Sequence, residues 1–507
     1  MERKWWTLVL SSIATFMLLL DITVVNVALP DIQRDLGASL SSLQWVVDAY
    51  SLMLAAFLLT AGSLGDRLGR RRVFSLGLGI FTFASFLCGI SGDPTLLNLS
   101  RGLQGIGGAA MFATSLALIG QEFHGRDRAM AFGVWGATVG GAVAIGPLVG
   151  GMITEHLGWE WIFFVNIPIG VVAVALTEMR LANVAAQDPQ RIDLPGLVSF
   201  SGGLFLLIFS LIRGNPEGWG STTIVASLAG SVALLLAFIV IEARSGHPML
   251  DLTLFRKPAF NGVSAVAFGL SAGMFAMFLY LTIYMQGVLG FSPLETGLRF
   301  LPLTVLSFIA SPISGNLSHR VPIRILVGIG LGLVGVGLML MHGLDADSDI
   351  SALLPGFLVA GIGIGITNPG IGQGAIAVVP AAKAGMGSGI NTTFRQVGIA
   401  TGVASLGAVF QSQVDSKLSS LLPNAPPGLA EAVSSGGSRA AATAAPPGQR
   451  TEIVHAAKVA FVSGFNEILL IGAILSFLGA ALGFALVRSS DFIQASPEAE
   501  ATEPAPA

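Results

Sequence analysis

The chain has 507 residues, of which 53% are hydrophobic and only 11% charged, with a formal net charge of -3. An ordinary soluble domain carries about 25% charged residues, so a water-soluble body of this composition would need a vast dry core with almost no charged shell around it. The charge balance also argues against nucleic acid as a partner, because no basic tract larger than a membrane-flanking cluster is present.

A helix needs about twenty mostly apolar residues to cross the hydrocarbon, and backbone that is not hydrogen-bonded cannot sit in lipid. Applied from the N terminus, that length predicts spans at 6–29, 45–65, 73–91, 96–119, 129–154, 160–180, 195–213, 222–242, 259–286, 297–316, 323–342, 353–378, 386–411 and 463–487. The expected fold class is therefore an all-α integral membrane protein with fourteen transmembrane helices and both termini on one side. The basic start resembles a secretory leader, but its apolar run continues through Asp21 into VVNVALP without a small-x-small cleavage site. It is expected to be retained as the first span. Cys88, the one cysteine, lies inside an apolar run and has no intrachain disulfide partner.

Lysine and arginine fix the orientation. With the N terminus in the cytoplasm, seventeen of the 26 basic residues fall on cytoplasmic segments, six on outer segments, and Arg101, Arg299 and Arg395 within or at the edges of spans. Residues 412–458, rich in alanine, proline, serine and glycine, are expected to form a mobile outer loop, and the tail from Ser489 a disordered cytoplasmic end. A weak internal echo relates 128–146 to 383–402 and GSLGDRLGRRR at 62–72 to GNLSHRVPIR at 315–324. In both pairs the second copy follows the eighth span. Two six-helix bundles, 1–180 and 259–488, with two inserted helices and their loops in 181–258, are the simplest arrangement.

Polar groups inside the spans carry the functional reading. Asp21 is the sharpest: a carboxylate in an apolar span costs several kcal/mol unless it is paired, hydrated or protonated. It is a candidate proton carrier, or alternatively a local packing device, with Thr23 and Asn26 adding polarity nearby. Asp48, in WVVDAY near the outer end of the second span, is either a titrating or cation-binding group or an interfacial polar residue. Arg101, in LSRGLQGIGGA, has the depth to pair with either acid, so a proton arriving on the carboxylate would release it. A static ion pair or a snorkelling arginine is the bland alternative.

The turn after the second span holds Gly62, Asp66, Arg67, Gly69, Arg70, Arg71 and Arg72. Its glycines allow close helix approach, and Asp66 is placed to accept helix-terminal N–H groups or to pair with Arg128. Part of the cluster simply orients the chain. In the fifth span Gly146, Pro147, Gly150 and Gly151 permit a bend or a tight sliding contact. Further on, Pro302, Pro312, Asn368 and Pro369 mark possible helix breaks. Thr23, Asn26, Gln104, Tyr280, Tyr284, Asn391 and Arg395 are candidate cavity residues.

With these residues in view, the sequence resembles the fourteen-helix drug:proton antiporter branch (EmrB/QacA type) of the major facilitator superfamily, over about 6–487. LDITVVNVALP matches its first-helix motif, and Gly62–Arg72 the superfamily loop motif. Arg101, Gln104 and Gly105 match the fourth-helix motif, whose arginine the family links to proton coupling. Gly146, Pro147, Gly150 and Gly151 match the antiporter motif, and WEWIFFVNIPIG the sixth-helix signature. Two departures stand out: the upstream glycine of the antiporter motif is shifted to Gly141, and His319 stands where the first half has Asp66.

The resemblance implies a major facilitator fold and proton-driven export of lipophilic or amphipathic small molecules from a bacterial cytoplasmic (inner) membrane, with protons as coupling ion and no cofactor. Asp48 lies outside the matched motifs. A dedicated exporter of one metabolite, antibiotic, lipid or siderophore is the alternative. A sensor or scaffold lacks an output domain here, and an enzyme lacks a cofactor fingerprint or nucleophile–base set. A monomer surrounded by membrane lipids is expected, with the need for a periplasmic adaptor left open.

Overall fold

The computed structural model describes residues 2–38, 40–181, 193–246, 248–380, 383–423, 428–430, 432–434 and 450–492. The long helices fall on the predicted spans. They are α1 (Arg3–Leu36), α2 (Leu40–Leu68), α3 (Arg70–Gly89), α4 (Pro94–Glu122), α5 (Gly125–Leu157), α6 (Trp161–Arg180) and α7 (Leu194–Glu217). The rest are α8 (Thr222–Arg244), α9 (Pro258–Val288), α10 (Pro293–Leu317), α11 (Ile323–Met341), α12 (Leu354–Ala377), α13 (Ala384–Leu421) and α14 (Arg450–Leu486). Thirteen segments of the described residues are long and apolar enough to cross a membrane, and the remaining long helix, α5, has 33 residues.

Capping residues set several starts. The Asp93 carboxylate accepts from the N–H groups of Thr95 and Leu96 at 2.9 and 3.0 Å, ahead of Pro94 at the first helical position. Ser292 and Glu295 form a reciprocal capping box at the start of α10. Between α2 and α3 a single residue, Gly69 at φ 99°, turns the chain. A side chain at that φ is strained, which is why the turn can be so short only with glycine.

Two hydrophobic cores organise the bundle. One is built around Phe74, Phe81, Phe112 and Trp135 of α3, α4 and α5, and the other around Tyr284, Phe357, Phe410 and Phe461 of α9, α12, α13 and α14. A smaller cluster ties Leu52 and Ala55 of α2 to Leu204 and Ile208 of α7, with Val397 and Ala400 of α13 against it. Thus α7 bridges the two cores. Its partner α8 is peripheral: only 17% of its most apolar window is buried, against 83% for α4.

Two expectations need correction. Pro302, Pro312 and Pro369 do not break their helices; α10 and α12 run through all three. The irregularities lie instead in α9, which widens into π-helix at Ser271–Phe275 and again at Tyr284–Val288. The outer loop is also shorter than 412–458, because 412–421 continue α13 and 450–458 begin α14. Val414, Leu418, Ile453 and Ala457 bury themselves in the second core, so apolar contact carries both helices through these residues. The rest of that segment is described only at 422–423, 428–430 and 432–434, and the expected tail lies outside the described residues from 493 onward.

Candidate functional site

The first core contains a polar cluster centred on Asp21. The Arg101 guanidinium donates to Asp21 Oδ2, and the side-chain amide of Gln104 donates to Oδ1 at 2.9 Å, with Asn166 Nδ2 following at 3.4 Å. Arg101 also donates to Gln104 Oε1 at 2.5 Å and, through Nε, to the Val46 carbonyl at 2.9 Å. Gln104 completes its bonding through Ser85 Oγ at 2.9 Å. The ion-pair side chains are each 1% exposed, and the Tyr50 ring covers the guanidinium carbon at 4.3 Å. Removing one partner from such a pair strands a buried charge, typically at a cost of about 3–5 kcal/mol. A proton on Asp21 has the same electrostatic effect but is reversible.

Five helices meet in this cluster, since Asp21, Val46 and Tyr50, Ser85, Arg101 and Gln104, and Asn166 come from α1, α2, α3, α4 and α6. Tyr50 and Ser85 carry no motif, and sequence inspection missed them. Asn166 was visible only as part of a signature. A signal did exist: each is a polar group in an apolar run at about the depth of Asp21.

The structure separates the other predicted residues from this cluster. Asp48 is half-buried and makes no hydrogen bond or ion pair among the described residues. Thr23 bonds back to the Leu20 carbonyl at 2.9 Å, and a methyl group at Gly146 would collide with its hydroxyl. Val24 similarly lies 3.1 Å from where a Cβ on Gly150 would be, whereas Gly151 has open space. The antiporter-motif glycines Gly146 and Gly150 therefore serve close packing of α5 on α1. The helix runs through Pro147, whose side chain, like that of Asn26, lies outside the described residues.

At the arginine-rich end the two halves touch. A Cβ at Gly62 would overlap the Gly385 carbonyl, so α2 and α13 meet backbone to backbone. Asp66 accepts from the N–H groups of Gly385 and Met386 at 2.9 and 2.8 Å while holding Arg70 at 2.9 Å. A carboxylate of one half thus caps the helix start of the other. Of the two roles expected for Asp66, the pairing with Arg128 does not occur; Arg128 instead lies over the Phe132 ring at 5.9 Å. A second seam follows α5 and α10, where Ser311 Oγ donates to the Gly133 carbonyl at 3.0 Å.

The segment after α8 crosses the first seam. Arg67 donates to the Pro248 carbonyl at 3.0 Å, Lys383 pairs with Asp251 at 3.2 Å, and Met249 and Leu250 pack into a cluster containing Leu59, Met386 and Ile390.

In the second half, Tyr280 and Tyr284 are core residues and leave the set of cavity candidates. Their hydroxyls donate to the carbonyls of Val403 and Ser348 at 2.9 and 3.2 Å, and Tyr284 stacks on Phe465 at 5.1 Å. Asn391 and Arg395 lie four residues apart on one face of α13, both buried. Arg395 makes no hydrogen bond or ion pair among the described residues.

Comparison with known proteins gives one family. The model for the Major Facilitator Superfamily matches residues 11–403. The tetracenomycin C resistance and export protein of Streptomyces glaucescens is 32% identical over 98% of this chain and 94% of that protein. The multidrug resistance protein Stp of Mycobacterium tuberculosis is 35% identical over 83% of this chain and 78% of that protein. Among solved structures, the human organic anion transporter MFSD10 (TETRAN) aligns over 95% of this chain and 99% of its own, at a TM-score of 0.64 and 14% identity. At that identity the likeness speaks for the fold alone.

Proposed function

The chain belongs to the major facilitator superfamily, and from that premise we propose that it is a proton-coupled antiporter exporting lipophilic or amphipathic toxic compounds by alternating access. The observation that carries this reading is the Asp21–Arg101 pair, buried and bonded inside the helix bundle. Protonation of Asp21 frees Arg101 to seek another acceptor and loosens the junction of α1 with α4. The seams at the arginine-rich end are closed, so this conformation offers substrate release away from that end. Opening requires Asp66 to leave the start of α13 and α5 to part from α10.

Counting α5 as a span gives fourteen, the number of the drug:proton antiporter branch. We divide the chain into 1–180, 181–258 and 259–488, a reading supported by the two main hydrophobic cores and by the position of α7 between them. We assign the protein to the bacterial cytoplasmic membrane, with the arginine-rich end and both termini inside, as a monomer. Asp48, half-buried and without a fixed partner, is assigned an accessory proton-binding role. With few acids near the path, neutral or monovalent compounds are preferred over multivalent cations. A second reading is export of one dedicated compound, favoured by the relative named for tetracenomycin C beside one named for multidrug resistance.

The test is proton movement in energised inverted membrane vesicles across a diverse drug panel, native against Asp21→Asn. A drug-evoked collapse of the pH gradient that disappears in the variant is expected. A collapse unchanged in Asp21→Asn would remove Asp21 as the proton carrier, and silence across the panel in the native protein would shift the reading to a dedicated exporter.

A further inference from the structure

Arg395 lies 11 residues beyond Ala384 at the start of α13, roughly 16 Å at the helical rise and so near the middle of a hydrocarbon core about 30 Å thick. It is 8% exposed. Arginine is charged at any accessible pH, so unlike Asp21 it has no protonation step that relieves its burial. Its guanidinium carbon lies 5.6 Å from the Phe275 ring centroid, a contact that offsets part of the desolvation and leaves its donors unused.

Among the described residues no carboxylate of the helices that pack on α13 pairs with Arg395. α9 and α12 contain no acidic residue. On α2, Asp66 is bound to Arg70 and to the start of α13, and the charge that Asp48 feels is that of Arg213. Glu217 of α7 is paired with Arg213, Glu452 lies in the first turn of α14, and neither the half-buried Glu467 of α14 nor Glu122 at the end of α4 forms an ion pair with Arg395.

Two further polar groups near Arg395 are buried and unsatisfied. The side-chain NH2 of Asn391, one turn earlier on the same face, and the Ser271 hydroxyl both lack a hydrogen-bond partner. Ser271 opens the π-helical stretch of α9, and its Cβ lies 3.0 Å from where a Cβ on Gly398 would be. The same stretch ends on Phe275, the ring beside Arg395. Such bulges in helices occur often at functional sites, and here the bulge sets Ser271 against Gly398, about one turn after Arg395, and the Phe275 ring beside the guanidinium. Leaving buried donors unmade is expensive, and these lie on α13 and on the stretch of α9 packed against it.

We propose that Arg395, with Asn391 and Ser271, forms an anion-recognition subsite for transported compounds carrying a carboxylate or ionised acidic phenol on an aromatic body. The acid group takes the guanidinium and neighbouring donors, and the aromatic body lies against Phe275. The idea rests on the export reading and narrows its substrate class: monovalent anions rank above their neutral analogues, and cations rank last.

The test is equilibrium dialysis of the purified full-length protein in detergent at pH 8 with three probes: 1-hydroxy-2-naphthoate, its methyl ester and trimethyl(naphthyl)ammonium. Charge-assisted hydrogen bonds of this kind give roughly tenfold or greater discrimination. The native protein is expected to bind the acid about tenfold tighter than the ester, Arg395→Gln to bring the ratio close to one, and Arg395→Lys to retain part of it. Because Arg395→Gln removes an uncompensated buried charge, its ligand-free Tm should equal or exceed the native value, which separates the subsite from a structural role. Equal or absent binding of the acid by the native protein, or a ratio that survives in Arg395→Gln, would overturn the proposal. So would equal loss of export of neutral and anionic compounds in that variant, the signature of an internal partner for Asp48. If vesicles show no antiport with any compound while the binding ratio still depends on Arg395, the export reading fails and the subsite stands.

Discussion

The two cores each bury an arginine, and they treat it in opposite ways. Arg101 is tied to Asp21, Gln104 and the Val46 carbonyl under the Tyr50 ring. Arg395 has an aromatic ring beside it and no hydrogen bond among the described residues. Under the proposed proton-coupled export, the difference separates two jobs. In that reading a neutral, satisfied pair holds one conformation until a proton breaks it, and in the subsite we propose the unsatisfied cation is completed by the transported anion.

Substitution at Arg101 gives the largest expected break in this contrast. Arg101→Ala leaves the Asp21 carboxylate buried without its counter-charge and should destabilise the protein by about 3–5 kcal/mol, read as a lowered Tm in detergent, while the Asp21→Asn, Arg101→Gln double variant recovers most of it. A single variant as stable as native would mean the pair is not fixed in the resting state. Next comes Asp66→Ala, which removes the cap on α13 and should cost about 0.5–2 kcal/mol. It should also lengthen the distance between spin labels on the facing ends of α2 and α13, and an unchanged distance distribution would show that the glycine contact alone closes the seam. The smallest effect belongs to Lys383→Ala. Its pair with Asp251 is 46% and 32% exposed on the two sides, and exposed pairs contribute about 0–1 kcal/mol. A large loss of transport in that variant would instead make the segment after α8 a latch on the seam.

Much of this was legible in the chain itself. The spans lie where continuous apolar stretches lie, and Asp21 and Arg101 stood out because each is a charge in an otherwise apolar run. Other features were not visible locally. Tyr280 and Tyr284 looked like polar rings facing a path, yet the carbonyls of Val403 and Ser348 absorb their hydroxyls within the second core. The prolines of α10 and α12 looked like breaks, but these helices continue through them. Meanwhile the widened turns of α9 occur in a stretch without proline. Residues 412–421 and 450–458 read as loop by composition, and their contacts with the second core make them helix.

The sequence by itself located the long apolar helices, because hydropathy acts over a window of about twenty residues. It also determined which charges would have to be buried. Only the tertiary structure decided which of those charges are satisfied. Asp21 and Arg101 are 80 residues apart in the chain, and they meet because α1 and α4 pack at matching depth, while the face of α13 that carries Arg395 meets a helix without a single acid.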